Sequence, residues 1–104
     1  LTDYAEKVLQ IRHRFLANLE QRLGGIEAEI RRVEQGAPGA AADLHLALHD
    51  LTGNAAMLGL DEMTAEARRG LAVLEGGRLE AEAGRAAALD DIRASVARLL
   101  ELKK

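Results

Sequence analysis

A chain of 104 residues, 48% hydrophobic but only 2% aromatic and with one proline, is the size of one domain with one core, and its wealth of Ala, Leu, Glu and Arg points to helices throughout. The absence of cysteine excludes a disulfide framework and thiolate metal ligation, and no run of 18 apolar residues or secretory signal pattern is present, so a cytoplasmic protein without a membrane partner is expected. A net charge of −3, with 14 basic and 17 acidic residues interspersed, leaves no concentrated basic face for nucleic acid, the Arg31-Arg32 pair reading as a solvated helix surface.

The first predicted helix covers about residues 2–35. Val8, Ile11, Phe15, Leu19, Leu23, Ile26, Ile30 and Val33 recur in steps of three and four and trace one apolar stripe. Gly24-Gly25 keeps that register, so the helix is expected to continue through a weak point there. A short separate first turn near Thr2-Asp3 is also expected, and the start at Leu1 rather than Met is what a piece of a longer protein would show. The segment Gln35–Ala41 holds the only proline and two glycines and reads as a turn. A second helix is predicted over residues 41–58. A third over 62–74, with Asp61 as N-cap, would bury Met63, Ala67, Leu71 and Leu74. After a break at Glu75–Arg78, a fourth over 79–102 would bury Leu89, Ile92, Val96 and Leu99, with Lys103-Lys104 favourable at its C-terminus. Connections this short set neighbouring helices antiparallel, which gives one all-α domain, an up-down four-helix bundle.

The second helix carries the chemistry. Its 100° steps put Leu44, Ala47, Leu48, Leu51, Ala55 and Leu58 on one face, the predicted core side. His45, Thr52, Gly53, Ala56 and Leu60 fall within about 60° of His49 on the opposite side. His49 is thus expected to point outward among small neighbours, where a second protein can reach it. A mid-helix glycine costs about 1 kcal/mol relative to Ala, and clearance around His49 gives Gly53 a reason. Gly59 suits either close packing of the next turn or a helix C-cap. Leu46, Met57 and Leu60 border the histidine face and are candidates for a docking patch. Imidazole is a nucleophile near neutral pH, and a phosphoryl group on ring nitrogen keeps a high transfer potential. The i, i+4 pair His45 and His49 also has the spacing of a zinc pair, but the Glu of a His-Glu-x-x-His motif is missing and no third ligand lies nearby, so no metal is expected.

The stretch "HDLTGNAAMLG" resembles the signature of the histidine-phosphotransfer (HPt) family, His-x-Leu-Lys-Gly followed after five residues by Gly. His49, Leu51, Gly53 and Gly59 match it in identity and spacing. The flanking "FLANLEQRL" and "LGLDEMTAEARRGLAVLE" helices extend the resemblance over most of the chain. It implies a four-helix bundle in which His49 accepts a phosphoryl group from, and returns it to, an aspartate on a response-regulator receiver domain. His45, Thr52, Gly53 and Ala56 would line that site. The other partner would be a histidine kinase, through its catalytic or receiver domain. Magnesium would belong to the receiver, no cofactor to this chain, and the domain would act as a monomer.

Two departures stand out. Thr52 occupies the place of the family's lysine, so Arg68 or Arg69 of the third helix is expected to help hold the phosphoryl group. Leu71 falls where the chemotaxis-kinase branch often has a glutamate, which favours a hybrid-kinase or stand-alone type over the excised phosphotransfer domain of a chemotaxis kinase. No P-loop or other nucleotide-binding pattern occurs. The reading from another class is a non-catalytic helical interaction module.

Overall fold

A computed structural model describes residues 2–77 and 79–103; Leu1, Arg78 at the third break and the terminal Lys104 lie outside the described residues. Four helices follow one another: α1 (Thr2–Glu34), α2 (Ala40–Met57), α3 (Asp61–Glu75) and α4 (Glu82–Lys103). Each packs on its neighbours in sequence, and α4 returns to α1. The cross-links show the antiparallel sense. Arg32 reaches Asp43 at 3.0 Å near the α1–α2 turn, while Arg12 reaches the Gly59 carbonyl at the far end of α2. Arg93 of α4 grips Glu34 of α1 at 2.7 and 2.8 Å and Glu27 at 2.9 Å. The Arg93 clamp holds the Glu34 carboxyl below the usual carboxylate range. Its contribution to stability is therefore complete above that range and lost as pH falls through the lowered value.

The core is the predicted stripe of α1 from Phe15 to Val33, joined by Leu44, Leu48, Leu51, Ala55, Met63, Ala67, Leu89, Ile92 and Leu99. Leu71, Leu74 and Val96 are half-buried against it. Ile11 departs from expectation at 50% exposed. The reason is length: α1 has 33 residues, about 50 Å at 1.5 Å per residue, and α2 has 18. Helix α1 therefore runs nearly the whole 53 Å axis of the molecule. Its first three turns pass beyond the α2–α3 turn, and Phe15 is the first residue of the stripe to be enclosed. The helix is continuous from Thr2, without a separate first turn, and Gly24-Gly25 does not interrupt it.

At the end of α2, Gly59 adopts φ +70°, the Gly59 amide donates to Ala56 O, and the Leu60 amide donates to Ala55 O. That pair of bonds is the Schellman C-cap, and the left-handed backbone gives Gly59 its purpose. Gly59→Ala should cost about 1–2 kcal/mol, which for a domain of this size lowers Tm by several degrees. Thermal unfolding followed by circular dichroism measures it, and an unchanged Tm would remove the assignment.

Most helix bounds lie within one residue of expectation, and the starts of α3 and α4 are built differently from it. Leu60, not Asp61, is the residue that precedes α3, and no side chain caps it. The Thr64 hydroxyl instead donates to the Leu60 carbonyl at 2.9 Å, while Asp61 and Glu62 sit in the first turn, where negative charge suits the helix dipole. Helix α4 starts at Glu82 rather than near Leu79, because Leu79 tucks against the core and Arg85 Nε donates to its carbonyl at 3.0 Å.

Candidate functional site

The outward face of α2 carries the site. His49 is exposed and makes no hydrogen bond among the described residues; its one ring contact is with His45, one turn earlier. The two rings lie 6.2 Å apart between centroids and 16° from parallel. Gly53 and Ala56 are exposed on the same face. A Cβ built on Gly53 meets no atom within 4 Å, and its backbone is ordinary helix. Nothing inside the bundle requires a glycine there, so its cost in helix stability has to serve something outside the chain.

Thr52 is placed differently from expectation. It is buried at 7% exposure, and its hydroxyl donates to the Leu48 carbonyl at 2.7 Å. Its position about 60° from His49 falls on the flank that α3 covers. A hydroxyl already bonded to backbone does not line an open site. His45, on the same flank but a turn further along α3, stays half-exposed, and its Nε2 lies 3.4 Å from Glu75 Oε2. An ionised carboxylate only accepts, so Nε2 is the donor of that pair. No group of three or more His, Asp or Glu among the described residues is arranged to hold a metal ion.

The two arginines separate. Arg69 Nη1 bonds Glu66 Oε1, three residues earlier on α3, at 3.3 Å. Glu66 is buried at 5% and also takes the Ser95 hydroxyl at 3.0 Å and Arg98 Nε at 2.8 Å. Arg69 thus belongs to the α3–α4 seam and is no candidate for the His49 site. Arg68 is exposed and makes no ion pair among the described residues. The pairing of His45 with Glu75 and the tight turn at 58–60 set the antiparallel register. Along α2 and α3 that register brings Arg68 level with Thr52 and Leu71 level with His49.

Of the three apolar candidates, Leu46 is 58% and Met57 79% exposed. Leu60 is instead half-buried against the core, because the C-cap turn folds it under the end of α2. Sequence reasoning missed Ile11, which stands with Phe15, Asn54, Met57 and Leu58 around one shallow dip between α1 and α2. It also missed Glu75, whose signal lay in the short α2–α3 turn, since counting back from that turn sets residue 75 opposite His45.

The site is thus one open helix face of a four-helix bundle, with an exposed imidazole beside a glycine that the bundle's own packing does not need. The family model for the Hpt domain matches residues 10–102, and the chain belongs to that family. Histidine phosphotransfer in two-component signalling is accordingly its class of function. No curated protein and no solved structure matched the chain.

Proposed function

We propose that His49 is the phosphoryl carrier and that it exchanges the group with aspartates of receiver domains in a phosphorelay. The observation behind this reading is the pairing of an exposed, uncommitted imidazole with the open space at Gly53. In the forward step the His49 Nε2 lone pair attacks phosphorus of an aspartyl phosphate. The new P–N bond forms as the P–O bond to the carboxylate breaks, and the aspartate leaves as its anion. The reverse step restores the acyl phosphate. Work of this kind is positioning and charge stabilisation rather than elaborate covalent chemistry, and the magnesium it uses belongs to the receiver.

Leu46 toward one end of α2, and Met57 with Ile11 beside it at the other, form an apolar rim for the receiver to dock on. Arg68 supplies positive charge from the α3 side. Leu71, level with His49 in place of a carboxylate, favours a hybrid-kinase or stand-alone context over a chemotaxis-type kinase fragment. A cytoplasmic location follows from such partners.

The test is transfer from a receiver domain charged with radiolabelled acetyl phosphate. Label should pass to this chain and be acid-labile and base-stable, as a phosphohistidine is. Label that stays on every receiver tried, or an acid-stable adduct, would leave the chain as an interaction module.

A further inference from the structure

The site already described leaves two neighbours of His49 without a role, His45 and the Glu75 that pairs with it along the α2–α3 edge. Glu75 Oε2 lies 3.4 Å from His45 Nε2, and the His45 ring faces the His49 ring at 6.2 Å between centroids. A phosphoryl group on His49 brings two negative charges to a helix face where Thr52 offers no cation and has its hydroxyl committed to Leu48. Arg68 supplies a fixed charge from the neighbouring helix, without a recorded contact to His49. His45 is the one titratable side chain in ring contact with the carrier.

Resting on the carrier reading of His49, we propose that His45, oriented by Glu75, is the proton-dependent cation of the phosphorylated site. With Nε2–H donated to Glu75, the neutral ring keeps its lone pair on Nδ1. When the phosphoryl group arrives on His49, His45 Nδ1 takes one proton from solvent. The imidazolium then has Glu75 on one nitrogen and a free N–H for a phosphoryl oxygen on the other. Among the described residues no other charged side chain is bonded to the ring. Asp43 and Asp50 of α2 turn toward α1, Asp43 holding Arg32 at 3.0 Å, and α3 presents only Glu75 to it among the described residues. His45 and Glu75 are positioning residues here, and no bond to phosphorus is made by either.

Linkage makes the effect reciprocal: if phosphorylation favours protonated His45, then protons favour phosphorylated His49 by the same factor. The carrier would therefore hold its phosphoryl group more firmly as pH falls.

The experiment uses the full chain, charged on His49 with phosphoramidate and followed by NMR of the His45 ring and by phosphohistidine lifetime from pH 5.5 to 8.5. Phosphorylation should raise the proton affinity of His45 by about threefold or more, the size expected for partly screened charges at this separation. In His45→Phe only the acid lability common to phosphohistidines should remain, and the wild-type lifetime should exceed that of the variant by a ratio that grows as pH falls. His45→Lys should restore a long lifetime without that pH dependence, and Glu75→Gln should weaken the proton uptake. An unchanged His45 titration on phosphorylation, or a His45→Phe lifetime profile that overlays the wild type, overturns the proposal while leaving His49 as the carrier. Failure of both phosphoramidate and a phosphorylated receiver to label His49 overturns the carrier assignment and this proposal with it.

Discussion

A His49→Gln chain is expected to fold with an unchanged Tm and to take no phosphoryl label from a phosphorylated receiver. The stability half follows from surroundings: the side chain is exposed and gives the bundle no hydrogen bond among the described residues, only the ring contact with His45. Surface substitutions of this kind usually stay within about 0.5 kcal/mol. Glutamine also has a better helix propensity than histidine, so α2 loses nothing by the exchange. The activity half follows from chemistry, because an amide nitrogen has no lone pair available for attack on phosphorus. Loss of label should therefore be complete rather than partial. The measurement is label per chain after transfer, paired with a thermal melt. Label at the wild-type rate in the variant would move the acceptor elsewhere, His45 being the nearest alternative nucleophile.

How far the sequence anticipates this site depends on which physical quantity each feature requires. The stripe from Phe15 to Val33 and the outward aim of His49 need only the 100° step of a helix, and both are as expected. Ile11 obeys the same periodicity yet lies exposed, because periodicity carries no information about where a partner helix ends. Thr52 shows a second gap. A helical wheel gives its angle from His49 but not the flank on which α3 will lie, and α3 covers that flank. Arg68 and Arg69 differ by one 100° step, and the face on which α3 packs decides that one stays exposed while the other joins Glu66. The Glu75–His45 contact spans 30 residues of chain and depends on the register between α2 and α3. What remains hard to read in advance is pairing between helices, which short-range pattern does not encode.

The two motif glycines serve different masters, and Gly53 yields the sharper prediction. Gly59 is required by its own backbone, with φ +70° at the C-cap. Gly53 is helical, and a side chain there would extend into open space. Gly53→Leu should therefore stabilise the free domain by about 0.8 kcal/mol through helix propensity. A domain of this size converts that into a Tm gain of roughly 3–6 °C. The same leucine would stand one turn from His49, in the path of any macromolecule that must bring its aspartate to the ring. Transfer from a receiver should fall by about tenfold or more, since docking geometry displaced by about 1 Å can already cost some 100-fold. Phosphoramidate is small enough to pass the leucine, so chemical labelling of His49 should proceed at close to the wild-type rate. The combination of a more stable fold, an intact nucleophile and a blocked partner distinguishes clearance from structure. Receiver transfer at the wild-type rate would show that the approach does not pass over position 53. Loss of chemical labelling as well would mean that the leucine perturbs His49 itself, and the glycine would then be serving the ring rather than the partner.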